Sequence, residues 1–171
     1  MFNYKSIIKR DAELCVLLHK NVYETYANRN KSPHSLKDWQ KACSDFRSHL
    51  IAMDEKFKEI AKASLVNDVD ARQFAFDYLS VDPYCFTSGY KKEWLVRKIK
   101  PLDLSENEKE VVRHLILERL DVQMTRDFKE ICKLARLVSD ASFENTITTI
   151  VRSETGLRQK RAQLVLSSFH V

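Results

Sequence analysis

Apolar side chains at Leu36, Trp39, Cys43, Phe46, Leu50, Met53, Phe57 and Ile60 recur at alternating steps of three and four residues, which draws one stripe along a helix of about eight turns. Ser32 or Ser35 caps this helix, with Pro33 suited to its first position, and the pattern runs to about Ala63. A repeat of this kind permits a two-stranded coiled coil. Three heptads containing Trp39, Cys43 and Phe57 instead suit a long helix packed inside its own bundle, with Leu50 in a core. Before it, Tyr4 to Tyr26 place Ile8, Cys15, Leu18, Val22 and Tyr26 on one face, and Asn28-Arg29-Asn30-Lys31 favours a turn.

Shorter helical patterns follow. Asn67-Asp68 opens a third helix from about Val69 to Ser80, which Asp82-Pro83 stops. Thr87 or Ser88 starts a fourth through Lys98, burying Trp94, Leu95 and Ile99. Ser105 and Glu108 have capping-box spacing for a fifth, running to about Gln123 with Val112, Leu115, Ile116 and Leu120 inside. Thr125 caps a sixth that buries Phe128, Ile131, Cys132, Ala135 and Val138, and Ser142 caps a seventh. Gly156 supplies a left-handed stop before an eighth, from about Leu157 to Ser168.

Two glycines and three prolines among 171 residues are too few turn formers for a sheet-based fold of this length, so the expected class is all-α. The architecture is an irregular bundle or HEAT-like array of about eight helices with a long N-terminal hairpin. Residues 1–171 read as a single domain, with 1–66 and 67–171 as possible subregions. No window has the apolar length of a signal peptide or a membrane span, and the expected setting is cytoplasmic with no membrane partner. Cys15, Cys43, Cys85 and Cys132 lack metal-like spacing and read as reduced structural thiols.

The scattered histidines, His19, His34, His49, His114 and His170, offer neither zinc-protease nor di-iron spacing. Isolated Gly89 and Gly156 form no phosphate-cradling loop. No cofactor is expected. His114 and Glu118 stand one helical turn apart and read as a surface pair; with Asp82 they are the one place where an unfamiliar enzyme site would be sought.

The formal charge is +5, and its distribution is more informative than its sum. The stretch from Asp82 to Lys98 joins Tyr84, Phe86, Tyr90 and Trp94 to Lys91, Lys92, Arg97 and Lys98, the residue types of an anion or nucleic-acid site. An inter-helix corner plugged by Tyr84, Phe86 and Trp94 accounts for the same residues, with Lys91, Lys92 and Arg97 as exposed charges. Arg126, Lys129, Lys133 and Arg136 recur at steps of three and four and form a cationic face able to follow phosphates. Arg158, Lys160 and Arg161 make a second basic cluster.

Asp68, Arg72, Ala75 and Leu79, and more loosely Glu154, Arg158, Ala162 and Leu166, resemble the second helix of HEAT-type repeats, where an acid–arginine pair ties neighbouring units. Tyr26-Ala27-Asn28-Arg29, Trp39 to Phe46, Asp82 to Lys92 and Phe128 to Arg136 resemble parts of bacterial helical proteins without assigned activity. The HEAT resemblance implies a non-enzymatic binding protein acting on another protein, of which an immunity or inhibitor protein is one form. A nucleic-acid-binding helical protein using the basic faces is the alternative. Partner identity and oligomeric state are not legible in the sequence.

Overall fold

A computed structural model describes residues 3–122 and 127–169. The fold is all-α: α1 (Tyr4–Tyr26), α2 (Pro33–Lys62), α3 (Val69–Val81), α4 (Ser88–Ile99), α5 (Glu106–Arg119), α6 (Phe128–Cys132), a 3₁₀ turn (Ala135–Leu137), α7 (Ala141–Ser153) and α8 (Gly156–Ser167). The chain forms two compact units, residues 3–74 with Pro83–Phe86, and Ala75–Asp82 with residues 87–169. The division falls inside α3 rather than after residue 66.

In the first unit, α1 and α2 pair as a hairpin. Asn3 caps α1 by accepting from Ser6 N, and Ser32, of the two candidate serines, caps α2 by accepting from Ser35 N at 3.1 Å. The Arg29 guanidinium lies 3.5 Å from the Tyr26 ring centroid and donates to the Tyr26 carbonyl, closing the end of α1. His49 Nε2 lies 2.8 Å from the Asp11 carbonyl oxygen, which can only accept, so this nitrogen carries the proton. Aromatic contacts join His19 to Phe46 and Tyr26 to Trp39.

The α2 stripe faces its partner helix without reaching a deep core. Trp39, Cys43, Phe46, Leu50, Met53, Phe57 and Ile60 are half-buried, Leu36 is exposed, and Ala42 is the fully buried position of the helix. A two-helix contact covers only one side of each large side chain, so the expectation of a deeply cored Leu50 is corrected. Tyr26, expected inside, is also exposed.

The second unit holds the dense core: Leu79, Leu95, Ile99, Val112, Ile116, Ile131, Leu134 and Val165 have essentially no exposed surface. The Ser105–Glu108 capping box forms as its spacing predicts. The Arg161 guanidinium donates to the Leu120 carbonyl at 2.8 Å and so satisfies a carbonyl at the end of α5.

Three local expectations change. The sixth helix is a short α turn followed by the 3₁₀ turn, although Phe128, Ile131, Cys132, Ala135 and Val138 are all buried as the pattern requires. Asp140, not Ser142, caps α7, accepting from Phe143 N at 2.8 Å. Helix α5 ends at Arg119; Gln123 and Thr125 lie outside the described residues. Gly156, at φ +79°, occupies the left-handed region between α7 and α8 that its position predicts.

Candidate functional site

Four charged side chains of the second unit form a closed, buried cluster. Lys92 Nζ lies 2.8 Å from Asp82 Oδ1 and 3.6 Å from Asp127 Oδ2. Arg119 Nε lies 3.0 Å from Asp82 Oδ2, outside hydrogen-bond alignment, while its Nη2 donates to Asp127 Oδ2. Lys92 is 1% exposed and Asp127 0%. Two cations and two carboxylates balance, so the cluster is internally neutral and is held together by mutual attraction rather than by solvent. Two non-glycine residues in the connection from α3 to α4 take positive φ, Asp82 at 45° and Thr87 at 67°. The first of these strained positions carries the carboxylate that receives both Lys92 and Arg119.

A different part of the same unit is open and cationic. The last turn of α4, α6, the 3₁₀ turn and the end of α8 bound a cavity of about 510 Å³ lined by Lys100, Lys129, Cys132, Lys133, Arg136, Leu164, Ser167 and Ser168. Local physics explains part of this charge. Arg97, Lys98 and Lys100 lie at the C-terminal end of α4, where unpaired carbonyls favour cations.

Glu130 is the carboxylate of this surface. A hydrogen bond from Lys133 holds its carboxyl below the usual range, and the charges of Arg97 and Lys100 act in the same direction. Arg97 also pairs with Glu93. No ion pair engages Lys100 or Lys129 among the described residues. Lys160 stands one turn before Leu164 on α8, so the same helix face carries a further cation toward the cavity. Cys132 forms part of the wall; burial pushes its thiol up to about 12, which keeps it protonated and a poor nucleophile.

The residues singled out in the sequence separate into groups. Lys92 is no surface charge: the expectation that it is exposed and available to a partner is corrected, because it is buried against Asp82 and Asp127. Lys91 is buried as well. Tyr84, Phe86 and Tyr90 are exposed, Tyr84 by 78%, which corrects the reading of Tyr84 and Phe86 as a core plug; Phe86 nevertheless touches His19 and Phe46. Trp94 is half-buried, with the Lys98 ammonium 5.4 Å from its ring centroid. Lys129, Lys133 and Arg136 do come together, and Lys100 joins them; Arg126 lies outside the described residues.

His114 and Glu118 form the exposed pair their spacing predicts, 3.1 Å apart. Among the described residues no group of three or more His, Cys, Asp or Glu side chains is arranged to hold a metal ion, and no helix is long and apolar enough to cross a membrane.

Sequence reasoning missed Lys100, Leu164 and the α8 serines as cavity residues. The weak signal for Lys100 was its place in the cationic run from Lys91; nothing local connects Leu164 to it. Comparison of the chain with protein-family models, curated proteins and solved structures finds no match.

Proposed function

We propose that the protein is a non-enzymatic helical binding protein whose partner is a nucleic acid, held through its phosphates by the cationic cavity and its rim. The observation that carries this reading is the convergence of Lys100, Lys129, Lys133 and Arg136 from three elements on one concavity, with Glu130 engaged by Lys133. Exposed apolar side chains give a protein partner less to grip. On α1, Leu14 and Leu17 project on one flank and Val16 and Tyr23 on the other, so they do not merge into one patch.

A protein partner, possible also for an immunity or inhibitor protein, is the second reading, and the exposed rings of Tyr84, Phe86 and Tyr90 favour it because aromatic anchors carry much of the energy of protein interfaces. A HEAT-like array as the architecture is supported by the α7–α8 pair, in which Glu154 receives Arg158 Nη1 at 2.6 Å and Ala162 is fully buried.

Titrating labelled single- and double-stranded RNA and DNA at low salt, followed by anisotropy, tests the main reading. Binding that weakens steeply as salt rises supports it, since each neutralised phosphate releases counterions. No binding to any of the four at low salt would overturn it and leave the protein partner.

A further inference from the structure

The cavity differs from an ordinary single-strand groove in what lines it. Among the described residues its wall carries no aromatic side chain, so bases have no stacking platform there. Ser167 and Ser168 add little as donors, because both hydroxyls already donate to the Leu164 carbonyl, at 2.9 and 2.8 Å. Recognition inside the cavity therefore falls to its cations, with Leu164 as an apolar wall.

Charge decides which phosphate suits it. Lys133 is engaged by Glu130, which leaves the Lys100 and Lys129 ammonium groups as two cations without an ion-pair partner among the described residues. A backbone phosphodiester brings one negative charge, whereas a terminal phosphomonoester brings about 1.5 to 2 at neutral pH and three acceptor oxygens. The monoester matches two ammonium groups; the diester leaves one uncompensated. The volume, about 510 Å³, is in the range of pockets that enclose a small ligand, larger than a phosphate alone needs and sufficient for the terminal nucleotide around it.

We infer that the cavity seats a phosphorylated strand end, its terminal phosphomonoester neutralised by Lys100 and Lys129, with Lys133 and Arg136 on the surrounding wall. This rests on the nucleic-acid reading above and narrows it to the end of a strand. The same chemistry occurs in free nucleotides, so the test must separate the two sources.

Short single-stranded oligonucleotides of one sequence, carrying a 5′-phosphate, a 3′-phosphate or only hydroxyl ends, would be compared by anisotropy at low salt, with pyrophosphate as competitor. The expected result is that one phosphorylated end binds about tenfold more tightly than the hydroxyl-ended strand, as charge-assisted hydrogen bonds to one extra dianion allow. Pyrophosphate should remove that advantage, and K100Q/K129Q should remove it with unfolding unchanged. Equal affinity for all three ends would overturn the inference and leave the nucleic-acid reading standing. Binding of pyrophosphate without binding of any oligonucleotide would overturn the nucleic-acid reading, and with it the strand end, in favour of a free nucleotide. Failure of all probes would overturn both.

Discussion

Lys92 Nζ lies 2.8 Å from Asp82 Oδ1, and the lysine is 1% exposed, so this ion pair is closed off from solvent with Arg119 and Asp127 around it. Removing one member leaves a buried charge uncompensated, which typically costs about 3 to 5 kcal/mol. Lys92→Ala is therefore expected to be among the most destabilising single changes in the protein, and Asp127→Ala comparable. Urea unfolding would measure both, and a loss below about 1 kcal/mol for Lys92→Ala, the value of an exposed pair, would contradict the buried cluster.

The burial of Lys92 also marks the limit of what the sequence could reveal. Helix bounds were legible where the signal was local: Asn3, Ser32-Pro33 and Ser105 with Glu108 each start a helix within a few residues of their partners. Lys92 looked like a surface lysine because its counter-ions come from before α4, at Asp82, and from beyond α5, at Asp127. The cavity was hidden for the same reason, since Lys100, Lys129 and Leu164 belong to three separate elements. The sixth helix was overextended because burial at Phe128, Ile131, Ala135 and Val138 keeps a helical period even where the backbone tightens into a 3₁₀ turn.

Core depth differs between the units, and mutation should reveal it. Leu95 is fully buried, and Leu95→Ala should cost about 2 to 5 kcal/mol. Leu50 on the α2 stripe is half-buried, so Leu50→Ala removes less desolvated surface and should cost about half as much. Equal losses in chemical denaturation, followed by far-UV circular dichroism, would mean that the stripe is covered more fully than the hairpin covers it.

Asp140 joins two devices. It caps α7 through Phe143 N and accepts Arg113 Nη2 at 2.8 Å, while Arg113 Nε donates to the Val138 carbonyl at 2.7 Å. Asp140→Ala should cost about 1 to 2 kcal/mol, the range of a lost cap with a partly exposed ion pair. Ser142→Ala, by contrast, should be nearly neutral in thermal unfolding. The reverse order would restore Ser142 as the cap.

Burial raises the Cys132 thiol from an ordinary 9.0 to about 12. Between these values the unfolded chain loses its proton while the folded chain retains it, so the folded state binds more protons and stability falls as pH rises. Cys132→Ala removes this contribution, and its stability should decline less than the parent's from pH 9 to 12. In the native protein Cys43 and Cys85, both half-buried, should react with a thiol reagent before Cys15 and Cys132, and four free thiols should titrate after denaturation. A Cys132 that reacts first would contradict its burial.

A nucleic-acid site must be distinguished from the general attraction of a basic protein, and two charge-matched variants do this. K100Q/K129Q removes two cations from the cavity; K37Q/K58Q removes two exposed cations from α2, and each lowers the formal charge of +5 by two. If attraction follows net charge, both variants lose affinity equally. If the cavity holds phosphates, K100Q/K129Q should reduce the slope of log affinity against log salt by about 1.4, from about 0.7 per single-strand phosphate contact, while K37Q/K58Q leaves it near the parent's. Thermal unfolding should be almost unchanged in both, because none of the four lysines is in an ion pair among the described residues and exposed charges contribute little to folding. Matching slopes in the two variants would reduce the cavity to one part of a diffuse positive surface.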